Sequence, residues 1–474
     1  MAVDDITEQK QMKEQLQSAA HTDKLTGLSN RAQFFDRLEH AVMRSHRLKH
    51  YQFAVLYLDS DRFKTVNDCF GHGVGDQLLQ EMAQRLRTEV RAGDSLSQSP
   101  RGHTAARLGG DEFVVLLDGI ECPDDAVIVA DRLLDRLTQV YLLGDLEILS
   151  TVSIGIVTSS VSAENADGVL RDADAAMYEA KLAGKAQRSV FDVPMRQRLQ
   201  NRLDLEQDLR KALEGGQLFL MYQPIVSLQT GEIESFEALV RWQHPRRGVV
   251  SPAEFVPIAE DTGLIVSIGE WVLREACRQL GAWHKRFPQI RQLAMNVNLS
   301  RRQIAEQEDL CDLLQPILRQ AGIPPECLHL EITESMVMQD ITVAADFLHG
   351  LKSLGVRLAI DDFGTGHSSL SCLHNFPIDD LKIDGAFISN LNGRADYASV
   401  IHAIITLAHN MGIRVTAEGV ETAEQVVALQ ALECDRAQGY HFAKPLTAAA
   451  AEAALSSHRS KVANSPNEAV APHV

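Results

Sequence analysis

The sequence has little that would cross-link it, anchor it in a bilayer or hold duplex nucleic acid. It contains no CxxC pair, and its 7 cysteines, an odd count, fall at Cys69, Cys122, Cys277, Cys311, Cys327, Cys372 and Cys434. That spacing argues against a disulfide framework or a zinc site and points to a reducing compartment. Aromatic residues are 5% of the chain, so aliphatic side chains must build its cores. No apolar run reaches the roughly 18–20 residues that a membrane helix needs. The acidic start, Met1-Ala2-Val3-Asp4-Asp5, lacks the basic-then-apolar pattern of a signal segment. The expectation is a cytoplasmic chain with no membrane segment. Positive charge is short as well: Lys+Arg 46 against Asp+Glu 64 leaves −18. Duplex nucleic acid needs basic surface to displace counterions, so general duplex binding is not expected. A small nucleotide ligand stays open, because a metal ion can bridge two anions.

What is present has the balance of globular protein, 45% hydrophobic and 23% charged over 474 residues, enough for about two to four domains. Residues 6–20, ITEQKQMKEQLQSAA, read as a polar helix with a narrow seam of Met12, Leu16 and Ala19, either a solvated leader or a dimerising signalling helix. Residues 21–190 alternate helices and strands. Helices are expected from Arg31 to Leu48, Val74 to Val90, Asp124 to Val140 and Asp172 to Leu182. Strands are expected from Phe53 to Leu58, Glu112 to Leu117 and within Leu146 to Val157. This is an α+β pattern around one compact sheet. Residues 191–215 read as a charged helical linker with no flexible Gly/Ser stretch. From Leu218 onward, short apolar strands alternate with longer helices: LFLMYQPIV, SFEALVRW, LAMNVNLS, CLHLEITE, VRLAIDDF, DLKID and IRVTAEGV. That arithmetic is that of a (β/α)8 barrel, whose strand ends converge on one mouth. The tail from Ser456 reads as disordered.

Two constellations carry chemistry. In the first, Asp59-Ser60-Asp61 follows a hydrophobic strand, and Gly109-Gly110-Asp111-Glu112-Phe113 precedes another. Acidic turns at adjacent strand ends can share one cation, and oxygen ligands without His or thiolate favour Mg²⁺ or Mn²⁺. The paired glycines allow close approach to a phosphate. In the second, the barrel strand ends carry Glu237, Asn298, Glu331, Asp361 with Asp362, Lys382, Glu418 and Gln438. So many acidic and amide oxygens at one mouth would repel without cations. The pattern favours two hard metal ions sharing a carboxylate, with a lysine nearby.

Both halves resemble known families. RLGGDEF at 107–113, with HTDKLTGLSNR at 21–31 and DSDRFKTVNDCFGHGVGD at 59–76, resembles the GGDEF diguanylate cyclases. The resemblance implies a nucleotide-cyclase-like palm over about 21–190 that condenses two GTP into cyclic di-GMP, and so a homodimer. It implies that Asp59, the Ser60 carbonyl, Asp111 and Glu112 hold metal. Asn67 and Asp76, with His72 nearby, would read guanine. Lys181 and Lys185 would meet the phosphates from one helical face. The family more often has Arg at position 185, and Lys loses the bidentate fork. The family's inhibitory RxxD falls at Pro100-Arg101-Gly102-His103, which does not match. Arg91-Ala92-Gly93-Asp94 is an RxxD farther upstream, followed by SLSQSPRGHTA, which reads as an insertion. Arg91 and Asp94 are thus a candidate inhibitory site.

FEALVRW at 236–242, YQPI at 222–225, NLS at 298–300, EITES at 331–335, DDFGTGHSSL at 361–370, KID at 382–384, EGVET at 418–422 and QGYHFAKPL at 438–446 resemble the EAL phosphodiesterases. That implies a TIM-type barrel over about 203–455 that hydrolyses cyclic di-GMP to linear pGpG with Mg²⁺ or Mn²⁺. Glu237, Asn298, Glu331 and Asp361 would bind metal, and Asp362 a second ion. Lys382 would orient the attacking water, helped by Glu418 and Gln438. Gln223 and Arg241 would contact the dinucleotide, and Glu334 would brace the loop from Asp361 to Ser369. His367 stands where the family more often has Tyr. DITEQKQMKEQL resembles the end of a PAS sensor and its outgoing helix. The expected activity is cyclic di-GMP turnover. The rivals are a GGDEF half that only binds GTP to regulate the EAL half, and a chain that is a non-catalytic receptor.

Overall fold

The computed structural model describes residues 21–92, 103–162, 164–306, 310–334, 336, 341–364, 376–391 and 395–462. The chain divides between Leu203 and Asp204 into two compact units. The stretch 6–20, Asp94 and the loop residues His367 and Ser369 lie outside the described residues, as does the side chain of Arg91.

The first unit is built on β1 (Gln52–Ser60), β2 (Thr104–Gly109), β3 (Glu112–Ile120), β4 (Tyr141–Leu143), β5 (Leu146–Ile148), β6 (Val152–Thr158) and β7 (Arg188–Val190). Five of them form a sheet in the order β2-β3-β1-β6-β7, and β4 and β5 make a separate hairpin. The central strand β1 is antiparallel to both β3 and β6. It reads as an unbroken apolar run because helices cover both faces. Phe53, Val55 and Tyr57 pack with Phe34, Leu38, Ala173 and Met177, whereas Ala54, Leu56 and Leu58 pack with Leu78, Met82, Leu86 and Leu133. The edge strands β2 and β7 lack the apolar signature and were not expected. The helix expected from Asp172 begins at Ala166, because the Asn165 side chain accepts the Gly168 N–H and caps it there. That helix lies on β6 at Gly155, where a Cβ would come within 2.0 Å of the Ala173 carbonyl oxygen and 2.2 Å of the Met177 nitrogen. Arg196 reaches the same helix, with Nε 2.5 Å and Nη2 2.6 Å from the Asp172 carboxylate.

The second unit holds β8 (Leu218–Ser227), β9 (Ile233–His244), β10 (Gly248–Val250), β11 (Ala294–Asn298), β12 (Leu328–Thr333), β13 (Arg357–Phe363), β14 (Asp380–Ile383), β15 (Arg414–Ala417) and β16 (Arg436–Gln438). They run in the order β10-β9-β11-β12-β13-β14-β15-β16-β8, and a β8–β9 pairing closes the barrel. The neighbours from β9 through β16 in the barrel wall are parallel. The expectation of a barrel holds, with one correction to the regular (β/α)8 pattern. β8 is antiparallel to both β9 and β16, because a tight turn at 228–232 joins β8 to β9 where a crossover helix would otherwise be needed. The eighth strand, β16, is three residues long and carries little apolar pattern, so that only its end at Gln438 was marked in the sequence.

The helix Val193–Glu214 runs across the domain boundary. On the barrel side, its Leu205, Leu209 and Ala212 join the core around Trp242 and Phe255, and Asp208 meets His244 at 3.1 Å and Arg246 at 2.9 Å. The final helix, Ala448–Val462, extends past Ser456. This corrects the expectation of disorder from that residue, because the preceding alanine run is strongly helix-forming.

Gly155→Ala should destabilise the first unit by roughly 3 kcal/mol by pushing its helix from the sheet. Hydrogen exchange on the intact chain checks this. Faster exchange is expected across residues 152–182 with the barrel peptides unchanged, and unaltered exchange there would refute the close contact.

Candidate active sites

In the first unit, the GGDEF turn is the tip of the β2–β3 hairpin, with Gly109 paired to Glu112. Arg107 fixes it: its Nε and Nη2 donate to the Gly110 carbonyl at 2.9 and 2.6 Å, and its Nη1 lies 3.3 Å from Asp23. Asp59, at the end of β1, pairs in register with Glu112. Asp59, Asp111 and Glu112 therefore converge, as expected. Burial raises both the Asp59 and Asp111 carboxyls above the usual range. The Lys181 contact opposes the rise at Asp59, and the neighbouring acids add to it. Lys181 lies 2.5 Å from Asp59 Oδ1. Ser60 is buried, its hydroxyl 3.1 Å from that of Ser150.

Lys185 does not share a helical face with Lys181. The helix ends at Leu182, and Gly184 opens a turn in which Lys185 has φ 64°. Asn67 lies on the helix Phe63–Phe70, while His72 and Asp76 are exposed on the next, His72–Ala92. The Asn67 Oδ1 is buried without a hydrogen-bond partner. It sits over Gly75, where a Cβ would fall 2.0 Å from it. Sequence reasoning missed Asp174, whose charge reaches both Glu112 and Asp59. The signal was available, since Asp174 and Lys181 are seven apart on one helix and so on one face. Arg91 lies one residue before the end of its helix, and neither its side chain nor Asp94 is among the described residues, so the Arg91–Asp94 candidate lies outside them.

In the barrel, the expected residues gather at one mouth. Gln223 and Glu237 face each other across the β8–β9 ladder, Glu237 is level with Asn296, and Asn298 with Glu331. Glu237 is not at a strand end, as the sequence suggested. It lies inside β9, which continues beyond the barrel as a hairpin arm to His244. Lys382 is 2% exposed. Its Nζ lies 2.6 Å from Glu418, 2.9 Å from Glu331, 3.2 Å from Asp361 and 3.7 Å from Glu237. Amides hold Glu237 and Glu331 as well. Asn298 donates to Glu237 Oε1 at 2.7 Å and Gln438 to Glu237 Oε2 at 2.6 Å. Gln438 also donates to Gln223 at 3.2 Å. Asn296, which sequence reasoning passed over, donates to Glu331 Oε1 at 2.8 Å.

Burial drives Glu331 and Glu418 above the usual carboxylate range, and the Lys382 charge only partly opposes it. The four acids hold Lys382 well above the usual lysine range against the cost of its burial. Asp361, Asp362 and Glu418 bring ligand oxygens within 4.8 Å of one another, and Asp362 takes φ 55° to turn the chain there. The Glu334 carboxylate accepts the Gly364 N–H at 3.0 Å, at the start of the loop it was expected to brace. Gln223, Glu237, Asp361, Glu418, Gln438 and Tyr440 line a cavity of about 390 Å³. A second cavity, about 500 Å³ and more apolar, lies between Arg241 and Asn298.

The far end of the barrel is different. Arg436 meets Asp380 at 2.9 Å and Glu234 at 2.7 Å, and Arg414 reaches Asp380 at 3.2 Å. Burial and the charges of Arg436, Arg357 and Arg414 push His329 down to about 3, so it is neutral there. At that end Asp380 and Glu234 meet arginines, and the neighbouring Asp379 meets Lys352. At the mouth, four acids share one lysine.

Residues 20–187 match the family model "Diguanylate cyclase, GGDEF domain" and residues 206–445 match "EAL domain". The chain is 42% identical over 92% of its length to the bifunctional diguanylate cyclase/cyclic di-GMP phosphodiesterase MucR of Pseudomonas aeruginosa, covering 62% of that protein. It is 38% identical over 94% of its length to the cyclic di-GMP phosphodiesterase PdeR of Escherichia coli, covering 65% of it. It thus spans less than two thirds of either relative. A solved cyclic di-GMP complex of the MucR phosphodiesterase is 42% identical, covers 52% of this chain and 99% of its own, and superposes with a TM-score of 0.50. None of the described helices is long and apolar enough to cross a membrane. The chain belongs to the family of proteins that join a GGDEF domain to an EAL domain.

Proposed function

We propose that the barrel hydrolyses cyclic di-GMP to linear pGpG and that the α+β unit condenses two GTP into cyclic di-GMP. The observation that carries the reading is the charge imbalance at the barrel mouth. One ammonium faces four carboxyl groups within 4 Å, a formal 1 − 4 = −3 when all four are ionised, and without a cation burial holds protons on Glu331 and Glu418. Hard cations with oxygen ligands relieve such an excess. Glu237, Asn298, Glu331 and Asp361 would hold Mg²⁺ or Mn²⁺, and Asp362 would serve a second ion. When bound, the ions would stabilise charge on the phosphate and acidify water.

The chain's own residues do the rest. Lys382 and Glu418 orient the attacking water, and Gln438 fixes Glu237 beside it. The water oxygen forms the new bond to phosphorus as the bond to the leaving 3′-oxygen breaks. Gln223 and Arg241 align the dinucleotide, Arg241 by a paired contact to phosphate. In the α+β unit, Asp59, the Ser60 carbonyl, Asp111 and Glu112 would hold metal. Lys181 and Lys185 would bind the triphosphate. Asn67, with its free buried acceptor, would read guanine together with Asp76 and His72. Two such units must face each other to join two GTP molecules, which implies a homodimer.

Purified protein given GTP and Mg²⁺ should accumulate pGpG by LC–MS. Glu237→Ala should stop at cyclic di-GMP. Asp111→Ala should leave GTP intact while still hydrolysing added cyclic di-GMP. Hydrolysis that persists in Glu237→Ala would overturn the barrel assignment. GTP stimulation of hydrolysis in the absence of any condensation would favour the regulatory rival for the first unit.

Metal-free stability should depend on pH in a defined direction. Glu418 is raised from 4.5 to about 8, so between those values the folded chain holds a proton that the unfolded chain has lost. Stability therefore falls as pH rises through that window. Mg²⁺ should raise the melting temperature of the barrel more at pH 8 than at pH 5. Equal shifts at the two pH values, read by calorimetry, would contradict the proposed cation site.

A further inference from the structure

Asp61 has no part in the roles above, yet both its carboxylate oxygens and its N–H are used at this corner. Its Oδ1 accepts the Ser153 hydroxyl at 2.5 Å. Its Oδ2 accepts the Thr151 hydroxyl at 2.7 Å and the Ala186 N–H at 3.0 Å. Its own N–H donates to the Thr151 carbonyl at 3.0 Å. Asp61 thus ties the end of β1 to the approach to β6 and to the turn that leaves the Lys181 helix.

That turn is costly to hold. Lys185 and Ala186 are consecutive non-glycine residues with φ 64° and 48°, a left-handed conformation that costs about 1–2 kcal/mol per L-residue. The Lys185 N–H donates back to the Ala180 carbonyl at 3.1 Å, and the Gln187 carbonyl accepts the Ile154 N–H at 3.0 Å. Between those anchors, the Ala186 N–H is held by the Asp61 carboxylate. Lys181, on the other side of the turn, is placed by Asp59.

We propose that Asp61 is a positioning residue for the GTP triphosphate. It fixes the turn at 184–186 in its left-handed form and so sets where Lys185 projects, without itself touching nucleotide. The inference rests on the reading of the first unit as a GTP site.

The test uses the full chain with Asp61→Ala, Asp61→Asn, Lys185→Ala and the double variant Asp61→Ala/Lys185→Ala. The probe is a non-hydrolysable GTP analogue with Mg²⁺, measured by calorimetry. Asp61→Ala should weaken binding by about tenfold, the scale of one charge-assisted contact. Asn keeps an acceptor for the Ala186 N–H, so Asp61→Asn should recover most of the affinity. The double variant should bind no worse than Lys185→Ala. Hydrogen exchange at 183–187 should rise in Asp61→Ala without nucleotide, while exchange across β1 and β6 stays protected and shows that the fold survives. Unchanged affinity in Asp61→Ala, or fully additive losses in the double variant, would overturn the positioning role and leave the GTP site standing. Failure of the unsubstituted chain to bind the analogue would overturn the GTP reading and this inference with it.

Discussion

The barrel unit depends on one buried ammonium. Lys382 lies on β14, and the acids around it come from β9, β12, β13 and the residue after β15. Carboxylates drawn that close would drive their strand ends apart. A single positive charge at their centre lets the barrel close with its mouth still acidic. The amides of Asn296 and Asn298 occupy oxygens that Lys382 does not reach, and Gln438 shares Glu237 Oε2 with it. They hold the acids in place without neutralising them. At the other end of the barrel, Arg414, Arg436 and Lys352 match Asp380, Glu234 and Asp379. Two buried charge networks in one barrel therefore have opposite purposes: one is balanced for stability, the other is left short of positive charge.

The first unit uses the same device on a smaller scale. Lys181 lies on Asp59, at the point where Asp111 and Glu112 arrive from the hairpin. In both units an acid cluster is kept folded by a lysine contact. A cation entering either site competes with an ammonium already there, so its net affinity is the difference between two ionic contacts. That difference favours a divalent ion over a monovalent one, because the second charge has no rival.

How much of this was legible follows from what each feature requires. The mouth residues could be read because short motifs place each one at a definite point on a strand. β1 and the interior strands announced themselves by apolar runs such as FAVLYL. β2, β7 and β16 did not, because edge position or brevity leaves them without a pattern to read. Asn296 was passed over because a lone Asn inside a strand looks like any buried polar residue until Glu331 is placed beside it. Lys185 was assigned to a helix face from its four-residue spacing to Lys181, although the helix ends at Leu182 and the chain turns before Lys185. The antiparallel β8 was hidden for a similar reason: a five-residue turn can be counted, but the direction of the returning strand becomes plain only when the barrel closes.

That reversed strand also orders the assembly of the site in time. Gln223 and Glu237 belong to one hairpin and meet after a short loop closes, among the fastest events open to a folding chain. Gln438, which joins them, stands on β16, and β16 must slot between β15 and β8 to seal the wall. During synthesis it is the last barrel strand to emerge. The half-site made by the hairpin therefore waits, incomplete, for a residue some two hundred positions away, and the barrel gains its full set of mouth residues only once its wall is shut.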